Sequence, residues 1–251
     1  MTLAGTNTYV LFARTDAIVV DPGPLLPEHL DRVAQLVERR GLRVRALVTT
    51  HSHPDHAEAL WALGDQLGAP CFPSARGAGE VLAEVCVEVV ALPGHASDHV
   101  GFVLADRRVL TGDHVLGEGT TAIIYPDGSL EEYLASLALL EELGPSALLP
   151  GHGPVVGPDR ALDVLRLLRA HRLSRLDELR GLLEGGAGLD AIVGSVYGEI
   201  GDPVRREAAV RSTLAGLVWI AANDEGAIAL RARELLAKEG DAHRDLPSAS
   251  R

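Results

Sequence analysis

Four side chains able to bind a metal lie within six residues: His51, His53, Asp55 and His56, in Thr50-His51-Ser52-His53-Pro54-Asp55-His56. They follow directly on the apolar run Val44–Thr49, which has the pattern of a buried strand. This juxtaposition restricts the fold. The core must deliver the C-terminal edge of a strand to a loop crowded with imidazoles and a carboxylate. Nitrogen and oxygen donors of this kind suit Zn²⁺ and similar divalent ions. Two histidines one residue apart can grip one ion. The Asp-His pair that follows is turned away from them and can grip a second.

A lone His-X-His is often a surface accident, so partners decide the matter. The chain supplies them as His95 in Pro93-Gly94-His95, Asp113 in Thr111-Gly112-Asp113, and His152 in Pro150-Gly151-His152-Gly153. Each follows a short apolar stretch and sits at a glycine-bearing turn. Five of the ten histidines fall in this set, which favours a metal cluster over solvated surface residues.

In these residues the chain resembles the metallo-β-lactamase superfamily, whose His-X-His-X-Asp-His signature is followed by His, Asp and His. The resemblance covers residues 1–157. Within the superfamily it is similar to the β-lactamase-like protein 2 group through the segments Met1–Tyr9, Gly112–Thr121 and Pro150–Val155. The resemblance implies an α/β fold, an αββα sandwich with its metal site on one edge. Residues 1–157 are then the catalytic domain and 158–240 a helical, winged-helix-like appendage, although no wing hairpin is evident. Residues 241–251 form a polar tail expected to be disordered. Two departures from the family pattern stand out: a first edge strand is expected to be missing before Met1, and an Arg76–Glu84 segment replaces a hairpin.

The resemblance also implies roles. His51, His53 and His95 hold one ion, Asp55, His56 and His152 the other, and Asp113 bridges both. A carboxylate has two oxygens and can span two cations, while an imidazole offers a single lone pair. Two close cations lower the pKa of a shared water, giving a hydroxide that attacks a carbonyl or phosphoryl centre. Asp55 and Asp113 are thus the catalytic carboxylates. The commonest antibiotic-hydrolysing members use a cysteine near the Asp113 position, so antibiotic hydrolysis is disfavoured. The implied reaction is hydrolysis of an ester, thioester or phosphodiester, short single-stranded RNA included. A glyoxalase II-like thioesterase and a metal-binding interaction protein without turnover are the alternatives. The ion is read as zinc, with manganese or iron also compatible.

Around the ligands, Asp21 in Val20-Asp21-Pro22-Gly23 reads either as a turn residue or as a partner orienting a ligand histidine. Thr50 and Thr111 flank ligands and are read the same way. His99 and His114 are expected to pack behind the ligands, since the ligand set is complete without them. Asn7, Thr8 and the Gly117–Thr121 loop are placed beside the site. Arg166, Arg169, Arg172, Arg175 and Arg180 make a basic band on one long helix, read as a solvated face or, alternatively, as guidance of phosphate toward the site. Trp61, Trp219, Cys71 and Cys86 are read as core residues.

Strands are expected at Tyr9–Phe12, Ala17–Val20, 44–50, Val85–Leu92, His99–Leu104, Arg108–Leu110 and Ala147–Leu149. Helices are expected at Glu28–Arg40, Ala57–Leu67, Ser129–Leu143 and Ala161–Leu183, and at 189–198, 204–222 and 227–238. Strands alternating with helices indicate a layered α/β architecture, with the order hinting at two similar halves.

Charge narrows the partners. Net charge is −12, and residues 1–157 hold 9 basic against 20 acidic side chains, residues 158–251 14 against 15. Such a chain is a poor binder of duplex DNA, because phosphate neutralisation drives that binding. A small anion or short single strand could still meet the cations of the site. No apolar stretch approaches a membrane span and Met1-Thr2-Leu3-Ala4 lacks a basic leader, so the expected location is cytoplasmic. Two cysteines give neither a zinc-thiolate motif nor a disulfide framework. A homodimer is left open. Lys238 is the one lysine, a bias that points to a GC-rich bacterial genome.

Overall fold

The structure, a computed structural model, describes residues 5–73 and 78–244. Two four-stranded sheets stack face to face with helices outside them. The first has the order β1 (Tyr9–Ala13), β2 (Asp16–Val20), β3 (Arg43–Val48), β4 (Cys71–Phe72). The second runs β5 (Val87–Ala91), β6 (Val100–Leu104), β7 (Arg108–Gly112), β8 (Ala147–Pro150). Both sheets repeat one plan. An antiparallel hairpin, β1–β2 or β6–β7, is followed by a helix that returns the chain to a parallel strand. The returning helices are α1 (Pro27–Arg39) and α5 (Leu130–Leu143); parallel neighbours require such a crossover.

Alternation along the strands assigns the layers. Ile18, Val20, Ala46 and Val48 face the second sheet and meet Val100, Phe102, Leu110 and Leu149. Val19 and Leu47 point the other way, onto Leu30 and Val33 of α1 and onto Leu60 and Leu63 of α3 (Leu60–Leu67). Val109 and Leu148 face outward from the second sheet onto Tyr133, Leu137 and Leu140 of α5. This is the expected αββα sandwich.

The C-terminal part consists of α6 (Ala161–Glu184), α7 (Leu189–Tyr197), α8 (Pro203–Asn223) and α9 (Gly226–Arg244). Leu165, Leu168 and Leu176 of α6 and Leu214, Leu217 and Ile220 of α8 share one core with the α5 residues. The appendage is therefore built onto the outer layer of the second sheet. Among the described residues after 157 it contains no strand, so the winged-helix expectation is corrected to a purely helical layer.

Other expectations also change. The helix expected over Ala57–Leu67 is two: α2 (Pro54–Ala57), then α3. Trp61 is 59% exposed, because α3 turns Leu60, Leu63 and Gly64 inward and leaves position 61 facing out. Trp219 packs at the edge of the core. Cys71 is half-buried, whereas Cys86 is exposed at a turn with φ of 57°. The Arg76–Glu84 segment contains α4 (Gly79–Glu84), with residues 74–77 outside the described part. Met1–Ala4 also lies outside it, as does 245–251 of the expected tail; α9 extends past residue 240 to Arg244.

Candidate metal centre

The C-terminal ends of β2, β3, β7 and β8 deliver their loops to one edge of the sandwich, and the turn after β5 joins them. His51 follows β3, Asp113 follows β7 and His152 follows β8, while His95 lies in the β5–β6 turn. Pro54 opens α2 just after His53, its fixed φ suited to a first helical position. The turn of α2 then carries Asp55 and His56, with the His56 ring centroid still 4.3 Å from that of His51.

All seven sequence-derived ligands converge. His53 Nδ1 lies 2.9 Å from His51 Nε2 and 3.1 Å from His95 Nε2. Asp113 reaches the other side: its Oδ1 is 3.3 Å from His56 Nε2, and its Oδ2 is 3.3 Å from His152 Nε2 and 3.8 Å from His95 Nε2. His152 Nε2 is also 3.3 Å from Asp55 Oδ2. Three overlapping groups, His51/His53/His95, His51/His56/Asp113 and Asp55/His56/His152, could each hold an ion. His56 Nε2 and Asp113 Oδ1 are buried, lie 3.3 Å apart and meet no other hydrogen-bond partner among the described residues, so both are free to turn toward a cation between them. The donor set therefore fits divalent metal.

The far nitrogen of each buried ligand histidine is held, which fixes ring orientation and tautomer. His51 Nδ1 is 3.0 Å from Thr50 Oγ1. His56 Nδ1 is 2.9 Å from Asp21 Oδ2, whose carboxylate also accepts from the Thr50 N–H and hydroxyl. His95 Nδ1 is 2.8 Å from the Ala122 carbonyl and 2.9 Å from Thr121 Oγ1. His152 Nδ1 is 2.8 Å from the Gly5 carbonyl. Asp21 is thus both turn and partner, at a φ of 52°. Asp21→Asn should weaken metal affinity by about 10–100-fold, read by competition with a chromophoric chelator. An unchanged affinity would remove Asp21 from the machinery.

The remaining neighbours divide. The fully buried His99 accepts from the Asp113 N–H at 3.1 Å, and His114 packs on the Tyr133 ring; both lie behind the ligands. Asn7 grips the His152 loop, donating to the carbonyls of Pro150 and Gly153, while Thr8 donates to the Asp21 carbonyl. Thr111 instead donates to Val115 within its own turn. Sequence reasoning missed the Gly5 and Ala122 carbonyls and the Tyr9 hydroxyl, which donates to Pro150; a backbone acceptor leaves no mark in a sequence. The arginines of α6 do not form one band: Arg166 pairs with Asp163, Arg180 with Asp177 and Asp224, and Arg172 is buried.

Electrostatics around the cluster point the same way. Burial pulls His51 and His95 down, with neighbouring histidines adding to the effect, so their rings are neutral and their lone pairs available. Hydrogen bonds to Asp113 and Asp55 push His152 up to about 10. Burial works against the charge on His56, but the Asp113 and Asp21 carboxylates prevail and raise it to about 10. Burial likewise opposes the charge on Asp113, and His152 and His56 nevertheless hold it well below the usual carboxylate range. Without a cation, protons on His56 and His152 take its place. Being raised, these groups stabilise the metal-free fold fully below pH 6.5, and that contribution is lost as pH rises through about 10. Metal must expel both protons. Loading at pH 7 should release protons, measurable by calorimetry in buffers of different ionisation enthalpy. Loading without proton release would contradict this electrostatic picture.

An αββα sandwich whose strand ends gather histidines and aspartates on one edge defines a class of metal-binding hydrolases. The metallo-beta-lactamase superfamily model matches residues 1–78 and 72–152, and the chain belongs to that superfamily. It is 30% identical over 203 residues to a beta-lactamase-like protein 2 homolog of Caenorhabditis elegans, covering 73% of this chain and 67% of the relative. It is 30% identical over 233 residues to an atrochrysone carboxyl ACP thioesterase of Aspergillus chevalieri, covering 82% and 72%. Among solved structures, a metallo-beta-lactamase family protein from Thermus thermophilus shares the fold at 21% identity, with a TM-score of 0.67 over 86% of this chain and 88% of that one. The protein is a hydrolase of this superfamily. Among the described residues, no helix is long and apolar enough to cross a membrane.

Proposed function

We propose that the chain hydrolyses thioesters, using two divalent cations held by His51, His53 and His95 on one side and by Asp55, His56 and His152 on the other. Asp113 lies between the two groups, and its position carries the reading: its two oxygens address His56, His95 and His152 at once. When bound, such a pair of cations polarises a carbonyl and generates a nucleophile from water at neutral pH. The chain's own part is to fix the donors. Asp21, Thr50, Thr121 and the Gly5 and Ala122 carbonyls hold the rings in place, so little reorganisation is needed as charge develops. His53 and Asp55 are only half-buried and mark the side from which substrate arrives. Zinc is the expected ion, with manganese and iron accepted by the same donors.

The thioester is favoured over other acyl and phosphoryl centres by the thioesterases among the relatives, two of which match 82% of this chain and a third 62%. The acidic composition adds to this, since it discourages long polyanions. Cleavage of single-stranded RNA is the second reading, supported by the similarity to the beta-lactamase-like protein 2 homolog. Metal-loaded protein should cleave an acyl-N-acetylcysteamine thioester at least about 100-fold more efficiently than bis(p-nitrophenyl) phosphate, a gap of about 2.7 kcal/mol. The reverse ranking would give the RNA reading precedence. Stoichiometric metal with no turnover of either substrate would leave a binding protein.

A further inference from the structure

Behind the loop that orients His95 lies a cavity of about 460 Å³, enclosed by residues 120–123 and by α6, α7 and α8. That volume suits a small organic molecule. Its apolar wall includes Ile123, Leu176 and Leu179, and its charged lining consists of Arg172, Arg175 and Arg205. No Asp or Glu lines it, although the chain carries a net charge of −12. No residue of the metal cluster lines it either.

Arg172 is the decisive residue. It is 9% exposed, and its guanidinium lies over the Tyr133 ring with the ring centroid at 5.2 Å. One terminal nitrogen donates to the Thr121 carbonyl, while Nε is buried with no hydrogen-bond partner. No carboxylate pairs with it among the described residues. A buried cation without a counter-charge is unfavourable unless something completes its shell. Arg175 is engaged by Glu178 and the Val196 carbonyl. The Arg205 side chain, exposed at the rim, has no ion-pair partner among the described residues. Arg172, which no carboxylate pairs among the described residues, and the apolar wall line the same chamber.

We propose that this cavity binds a carboxylate with an apolar tail, its head held by charge-assisted hydrogen bonds to the Arg172 side chain and its tail against Leu176 and Leu179. The site adjoins the metal cluster through one loop. Arg172 holds the Thr121 carbonyl, and Thr121 and Ala122 hold His95. Chemistry alone names the carboxylate: a free medium-chain acid, or the acidic end of an acyl substrate.

The test is direct binding of decanoate to the full chain by calorimetry, with and without metal. One site per chain is expected, with decanol at least tenfold weaker. Arg172→Gln should weaken decanoate at least tenfold at unchanged circular dichroism. Arg205→Ala, at an exposed position that leaves the core intact, should weaken it a few-fold and reduce its salt dependence. Competition between decanoate and a thioester substrate would identify the acid as part of the substrate. A change in kcat at constant KM would identify a separate effector. Absence of binding at millimolar decanoate, equal affinity for decanol, or full affinity in a folded Arg172→Gln variant would overturn the proposal. None of these binding results depends on hydrolysis, so the thioesterase reading stands or falls separately.

Discussion

Asp113→Asn yields a folded protein whose turnover falls by about 10³-fold or more, the scale expected when a charged stabiliser is lost from a reacting centre. The side chain keeps its shape and loses its charge. Its backbone N–H still donates to His99, so the loop after β7 is retained. What disappears is the one carboxylate, among the described residues, within 3.8 Å of three candidate ligand imidazoles. In the parent chain His152 and His56 hold that carboxylate ionised against the effect of burial. On the proposed two-cation reading, an amide in its place would remove the negative charge between the two ion sites. Metal content should drop from two ions to at most one per chain, read by elemental analysis on the same sample used for kinetics. A variant that keeps both ions and turns over within tenfold of the parent would refute the central role given to Asp113.

The candidate ligands were legible because they sit where the sequence changes character. His51, Asp113 and His152 each follow an apolar strand at a turn, and the last two turns are marked by Gly112 and Gly151. β2 and the second half of β3 were legible because both faces are covered there, so Ala17–Val20 and Ala46–Val48 are all apolar. The hidden features have no such punctuation. β4 is two residues long and owes its existence to pairing with Leu47 and Val48. The break between α2 and α3 is made by backbone geometry at Ala59, a residue that favours helix. The clamp on His152 is a carbonyl of Gly5. Arg172 did leave a signal. It lies at helical spacing from Leu165, Leu168, Leu176 and Leu179, on the buried stripe of α6, where a charge is expensive. Counted with its neighbours as one basic band it passed for a solvated residue; the period of the helix separates it from Arg166 and Arg169.

Gly151→Ala should cost the site its metal although it adds only one carbon. A Cβ at this position would lie 2.5 Å from Asp113 Oδ1 and 2.7 Å from His56 Cε1. The obstacle is space rather than backbone conformation, since Gly151 is not among the positive-φ residues. Nor can the backbone withdraw. Its N–H donates to the Gly112 carbonyl and its carbonyl accepts from Asn7, at 2.8 and 2.7 Å. The ligands must therefore yield, Asp113 from one side and His56 from the other. His56 is pinned in turn by Asp21. Overpacking of this kind destabilises by about 1–3 kcal/mol, and the larger effect falls on geometry. Metal affinity should fall by more than about 100-fold, beyond the usual effect of changing a neighbour of a ligand. Gly157→Ala is the control: the added carbon meets nothing within 4 Å, so loading and activity should match the parent. Chelator competition on the two variants separates the outcomes. If Gly151→Ala loads as well as Gly157→Ala, the cluster tolerates displacement and the close-packed arrangement of Asp113 and His56 is not what holds the ions.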